Sequence, residues 1–465
     1  MSGPKVVRIV TREEIEAICR REIAIAEAAA EALRQAHRRH GGLGAETERA
    51  IAESARRLAD LFGAERHLDV QKQAPQMAAF FRSETERVER EAVAAAEAAR
   101  SRRRRVADAA RSVCAALEAA GRPVAEPLRG VTARALVAPE HELDDLQAVI
   151  DAGFRGLVAA SRPGGGDIGT GTRAETRALA ARLGAQETPD TLAAWLARQT
   201  PAPSPADARL DTALAAVEAL GDAELAATYT ARAATLDGVG GERRALLLDS
   251  LLLDASREAK RLRDARELRA RLCEAAAGLD ALGTQAALAL AARIRQARPD
   301  ALANEDMEHL LAEAATVAER ETSAIAAAAR RHAVLGALAA LGYEVREGMA
   351  TVWERDGRLL IRKPGTADYG VELGAPADAS RMQVRLVGAD RPSAPRTAGR
   401  DRDQEVSWCA DFARLRDILS EDGGDIAIDR AVEAGAQPVK TVAFPNSANE
   451  GARDVETSPR LRTLR

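Results

Sequence analysis

The sequence predicts a mainly α-helical chain: long N-terminal helices with coiled-coil character, a central irregular helical array, and a small C-terminal α+β domain. Three observations carry that expectation. Hydrophobic residues make up 46% of the chain but aromatic residues only 3%, so much of the apolar content is alanine and leucine, which favour helix and fill little volume. From about residue 12 to Leu341 the apolar positions recur at helical spacings, and beyond Leu341 the period falls to two. Half of the aromatic residues (Tyr343, Trp353, Tyr369, Trp408, Phe412 and Phe444) fall between 343 and 444, as a compact α+β core requires. With 465 residues, the chain should divide into several units. The expected units are a long-helix region at 1–125, a helical array at 132–342, an α+β domain at 343–444 expected to fold on its own, and a polar tail at 445–465 read as disordered.

In chain order, residues 5–10 (KVVRIV) read as a short strand opening the N-terminal region. Thr11 followed by Glu13 and Glu14 marks a helix start, with the hydroxyl as N-cap and the acids at the positive end of the dipole. That helix should end near His37 at HRRHGGLG. A second should run from about Glu46 to Phe62 and Gly63, after which Pro75 either kinks the chain or opens a new helix. Between 75 and 120, Val88, Ala92, Ala95, Ala99, Val106, Val113 and Leu117 recur at three, four or seven, a heptad-like seam. Alanine knobs bury little. The seam is therefore expected to need a partner, either a neighbouring helix of the same chain or a second copy, and Val88, Val106, Val113 and Leu117 are its association residues.

GRPVAEPLRG at 121–130 breaks this pattern, and shorter helices should follow, as at Leu143, Leu146, Val149 and Ile150, punctuated by SRPGGGDIGTGT, TPAPSPAD, DGVGGE and RPD. A last long helix is expected from about Glu305 to Leu341. Beyond it, YEVRE, MATVWERDGRLLIRKPG, YGVEL and MQVRLV read as four strands, with Asp356-Gly357 as a hairpin turn between the second and third. A polar loop (RPSAPRTAGRDRD), a helix at about 404–419 and strands at IAIDRAV and VKTVAF complete the domain.

Charge and composition exclude some function classes. Lys plus Arg (67) nearly balance Asp plus Glu (71), leaving a formal charge of −4, so no global field drives the chain onto nucleic acid or an anionic membrane. No apolar run approaches the roughly 20 residues that span a bilayer, and MSGPKVVRIVTREE lacks a secretory core. A cytoplasmic location is the expectation. Cys19, Cys114, Cys273 and Cys409 form no CxxC pair, which reads as reduced, mostly buried thiols.

The motifs point to no chemistry. Gly164, Gly166 and Gly169 match G-x-G-x-x-G, but an amphipathic helix precedes them where a buried strand belongs, and Thr172 follows Gly171 where a Walker motif needs lysine. Arg100 and Arg102, Arg103, Arg104 and Arg105 are the densest basic run and the candidate phosphate contacts. Consecutive residues point around a helix, so a solvated or interhelical charge network is the stronger reading. His37 and His40 share one turn but lack further metal ligands, and His141-Glu142 lacks the second histidine of a zincin. In the C-terminal domain Asp356, Lys363, Glu372, Trp408, Cys409 and Asp411 are polar or reactive, yet no acidic-x-Lys strand joins them into a metal nuclease. Cys409 in SWCADF reads as core.

No residue pattern is specific to a named family, and no catalytic, cofactor-binding or metal-binding residue is assigned. The expected function is a non-enzymatic cytoplasmic scaffold or adaptor, working by coiled-coil association and a C-terminal partner-recognition domain. Its expected partner is a protein, with self-association as one form. The alternative is a nucleic-acid-binding accessory protein of a larger machine, with Arg102 to Arg105 and the 391–402 loop as contacts.

Overall fold

A computed structural model of the chain describes residues 4–161, 191–199, 205–297, 301–366, 368–376, 378–392 and 395–444. The glycine-rich motif at 164–171 and the tail at 445–465 lie outside them. The chain is mainly α-helical with a small C-terminal α+β domain. Its elements are β1 (Lys5–Val10), α1 (Arg12–Arg39), α2 (Ala45–Gly63), α3 (His67–Ala119), α4 (Glu126–Arg129), α5 (Val131–Val137), α6 (Leu143–Ser161), α7 (Leu192–Gln199), α8 (Pro205–Leu220) and α9 (Ala223–Ala234). There follow α10 (Gly241–Leu282), α11 (Gln285–Gln296), α12 (Asn304–Ala340), α13 (Met349–Asp356), β2 (Arg358–Ile361), β3 (Tyr369–Gly374), β4 (Met382–Ala389), α14 (Ala398–Glu421), β5 (Asp425–Ala431) and β6 (Lys440–Val442).

The chain forms two units, one of Met1–Glu31, Ala45–Phe81 and Arg269–Arg465, the other of Ala32–Gly44 and Arg82–Leu268. In the first unit, the Thr11 hydroxyl accepts a hydrogen bond from the Glu14 amide at 3.3 Å and caps α1. Pro75 neither kinks the chain out of helix nor begins one, because α3 starts at His67 and runs through it. Val70, Ala74, Ala78 and Phe81 are all buried at helical spacing, and that packing outweighs the one ladder bond a proline removes. Arg330 pairs with Glu14 at 2.6 Å, tying α12 to α1.

The sheet of this unit runs β2-β3-β4-β1-β5, with every neighbouring pair antiparallel. β6 adds parallel to the far end of β4. β1, which the sequence reading assigned to the N-terminal region, is thus an interior strand: Lys5 lies opposite both Val384 and Ala431. One face of the sheet packs on α12, α13 and α14. Val7, Ile9, Val371, Leu373, Met382, Val384 and Ile426 meet Val334 and Leu338 of α12, Trp353 of α13, and Trp408, Phe412, Leu415 and Leu419 of α14 in one core.

Two segments expected as strands are not strands. Residues 343–347 (YEVRE) form no strand, although the Glu344 amide donates to the Arg362 carbonyl at 2.8 Å. MATVWERD is α13, not a strand, and Asp356-Gly357 is not a hairpin turn. Gly357 (φ 66°) closes the helix by donating its amide to the Trp353 carbonyl at 2.9 Å, the left-handed C-cap geometry that glycine adopts without a side-chain clash. The sequence signal was one of spacing. Met349, Ala350 and Trp353 all face the core, and three or four residues apart is a helical period.

In the second unit, Val106, Val113 and Leu117 of α3 are buried against Leu128, Val131, Leu143, Leu146, Ile150 and Phe154 of α4, α5 and α6. Gly153 makes this packing close, since a Cβ there would lie 2.8 Å from Leu128. Further along α3, Val93 packs with Ala216 and Val217 of α8 and Ala259 of α10. Leu210 and Leu214 of α8 meet Leu248, Leu251 and Ala255 of α10.

Candidate functional site

The C-terminal domain brings together some of the polar residues the sequence singles out and separates others. α14 projects Asp411 beside its buried row of Trp408, Phe412 and Leu415. The Tyr343 hydroxyl and the Lys363 ammonium both donate to Asp411 Oδ2, each at 2.9 Å. Burial first, and then the bond to Asp411, push the Tyr343 phenol well above its ordinary range, so it serves as a hydrogen-bond donor and not as an acid. With two donors on one oxygen, this carboxylate anchors the loop before α13 and the end of β2 to α14. It is a structural lock.

Glu372 lies elsewhere. It accepts from Arg385 at 2.6 Å and from Lys440 at 3.1 Å, across β3, β4 and β6. Burial alone would raise its carboxyl, but the two cationic donors outweigh it and hold the group below its ordinary value of 4.5. Asp356 is exposed and, among the described residues, bonds only to its neighbour Arg355, at 2.7 Å. Lys363, Glu372 and Asp356 therefore form no joint site.

A third cluster lies at the start of α14. Asp401 accepts from Tyr369 at 2.6 Å and from Arg396 at 2.9 Å, while Arg400 reaches Asp368 at 3.3 Å. Both guanidinium groups lie over the Tyr369 ring, at 5.5 and 5.7 Å from its centroid. Gly388 makes room: a Cβ there would stand 2.1 Å from the Arg396 guanidinium. Arg396 and Arg400, two of the candidate nucleic-acid contacts at 391–402, are thus already paired with carboxylates of the domain.

The arginine run of α3 has the same fate. Arg100 donates to Asp211 at 3.0 Å and to Glu218 at 2.6 Å, Arg104 pairs with Asp211, and Arg103 lies 3.7 Å from Glu218. These residues, spaced three and four apart, share the face of α3 that meets α8. Arg102 points the other way, to Glu140 at 3.1 Å and Asp144 at 2.6 Å. Arg105 is exposed and bonds to Ser101 Oγ at 3.1 Å. Burial raises the Asp211 carboxyl more than Arg104 and Arg100 lower it. The seam residues are covered as well: Val88, Val106, Val113 and Leu117 are each at most 6% exposed, three of them beneath α4, α5 and α6.

His37 and His40 form no metal pair. His40 lies 3.2 Å from Arg266, whose other nitrogen caps α8 through the carbonyls of Ala219 and Leu220 at 3.2 and 2.8 Å. Burial, then Arg266 and Arg39, push its imidazole below the ordinary value of 6.5. Among the described residues, no group of three or more His, Cys, Asp and Glu is placed to hold a metal ion, and no helix is long and apolar enough to cross a membrane.

Sequence reasoning missed a surface. On α10 the buried row is Leu248, Leu251, Ala255 and Ala259, while Leu246, Leu247 and Leu253 are 72%, 42% and 50% exposed. Arg243 and Arg257 are exposed on the same helix. Arg243, Leu246, Ser250, Leu253 and Arg257 follow one another at three and four, so they form a single stripe on the solvent side. The period was legible in LLLDSLLLD, but six leucines in nine residues match every helical face and single out none. No protein-family model, curated protein or solved structure matches the chain.

Proposed function

We propose that the chain is a non-enzymatic scaffold or adaptor, which binds a protein partner through the helical unit and recognises a second through the C-terminal α+β domain. The observation that carries this reading is the leucine stripe of α10, flanked by arginines and left open on a helix whose buried row of Leu248, Leu251 and Ala255 packs against α8. Exposed leucines at this spacing fit an amphipathic helix, and arginines at both ends favour one with acidic flanks. β5 supports the second half of the proposal. It ends the strand order, so its outer edge has no strand partner among the described residues, and such an edge accepts an added strand. Association through the heptad-like seam has no such support, because the chain's own helices cover it.

Nucleic-acid binding is the weaker reading because Arg100, Arg102 and Arg104 face carboxylates, and a phosphate would have to displace them. The test is the full chain carrying Leu246→Glu and Leu253→Glu. Both side chains are solvent-facing, so the variant should keep the wild-type melting temperature while losing the proteins that co-purify with the wild type. Unchanged co-purification contradicts the proposal.

A further inference from the structure

Lys5, the first residue of β1, is only 3% exposed. A buried ammonium is normally compensated by a carboxylate, yet among the described residues none pairs with it. Its Nζ lies instead 3.0 Å from Cys409 Sγ and 4.5 Å from the centroid of the Phe412 ring. Cys409 is partly exposed, whereas the amine beside it is buried. Such a pairing needs both elements in place: β1 inside the sheet and α14 laid across it. The contact joins residues 404 positions apart.

We propose that Lys5 and Cys409 are a redox modification site, at which a hydroperoxide converts the contact into a covalent sulfenamide bridge. In the first step the Cys409 sulfur attacks the terminal oxygen of hydrogen peroxide. The O–O bond breaks, the sulfur becomes a sulfenic acid, and one water leaves. In the second, the Lys5 ammonium loses one proton to the medium and its nitrogen lone pair attacks that sulfur. An S–N bond forms, the S–O bond breaks, and the departing hydroxide takes up a proton from the nitrogen as a second water. The thiol sulfur has then lost two electrons to the peroxide, and no other oxidant is needed. Sulfenic acids condense with nitrogen nucleophiles held against them, and thiols reverse the product. The bridge closes nearly the whole chain into a loop, pinning the first strand to the last long helix and so stabilising the sheet.

The experiment is direct on the wild-type full chain. Treatment with hydrogen peroxide, digestion with trypsin and mass spectrometry should give a linked pair of peptides containing Lys5 and Cys409, lighter by two hydrogens than their sum. Trypsin should no longer cut after Lys5, and excess thiol should restore both peptides and the cleavage. The oxidised protein should melt higher than the reduced one. Cys409→Ser should lose the link and the rise in melting temperature. Recovery of Cys409 as thiol, sulfinic or sulfonic acid with Lys5 still cleaved overturns the proposal, and so does a link from Cys409 to any other residue.

Discussion

Glu372 shows how one carboxylate holds several strands. It stands on β3 with Arg385 of β4 and Lys440 of β6 around it, and these donors depress its folded-state pKa below 4.5. A depressed carboxylate contributes stability that is present above its unfolded value and lost as pH falls through its folded value. Asp401, held low by Arg396 and Tyr369 against the effect of burial, acts in the same direction from 3.8 downward. The melting temperature should therefore fall on acidification below about pH 4.5, the ordinary value. Glu372→Gln should melt lower than wild type at neutral pH and lose less on acidification, which a thermal melt series will measure. The arginines of α3 give a second contrast. Arg104→Gln deprives Asp211 of a cationic partner in a site only 13% exposed and should cost about 1–3 kcal/mol in chemical denaturation. Arg105→Gln, on the exposed face, should cost no more than about 0.5 kcal/mol. Equal losses would mean that the charge network does not hold α3 to α8.

Among the elements, β1 has the widest consequences. It pairs with β4 through Lys5, Val6 and Val7 and with β5 along its whole length, so residues 343–444 alone lack an interior strand. Expressed by themselves they should fail to melt cooperatively, and joining residues 4–11 through a flexible linker should restore a cooperative transition. A cooperative melt of 343–444 alone would show that the strand is dispensable. Much of this domain was legible: β3, β4, β5 and β6 lie where period and composition put them, and so does α14 except that it begins at Ala398, inside the expected polar loop, where Thr397 caps it. Two features were not. Asp356-Gly357 suits a tight turn and a helix C-cap equally, and only the packing of Trp353 decides between them. Pairing of Lys5–Val10 with strands nearly four hundred residues away leaves no local trace, because a strand's own alternation does not name its neighbour. The polar contacts were hidden for the same reason. Lys363 and Asp411 both stand out in the sequence as polar side chains, but Tyr343 joins them only through the fold.

On the scale of the whole molecule, the features that sequence offers for binding are those the fold consumes. The heptad-like seam is the core between α3 and the helices after it, and Arg100, Arg102 and Arg104 of α3, with Arg396 and Arg400 at the start of α14, are paired within their own units. Among the described residues, the leucine stripe of α10 and the outer edge of β5 stay open, and the adaptor reading rests on the first of these. Site-specific photo-crosslinking in the cell of origin tests it most directly. A photoreactive residue replacing Leu246 or Leu253 should each trap the same protein, and one replacing the exposed Arg105 should not. Trapping no stronger at the two leucine positions than at Arg105 would contradict the claim that this stripe is where the chain does its work.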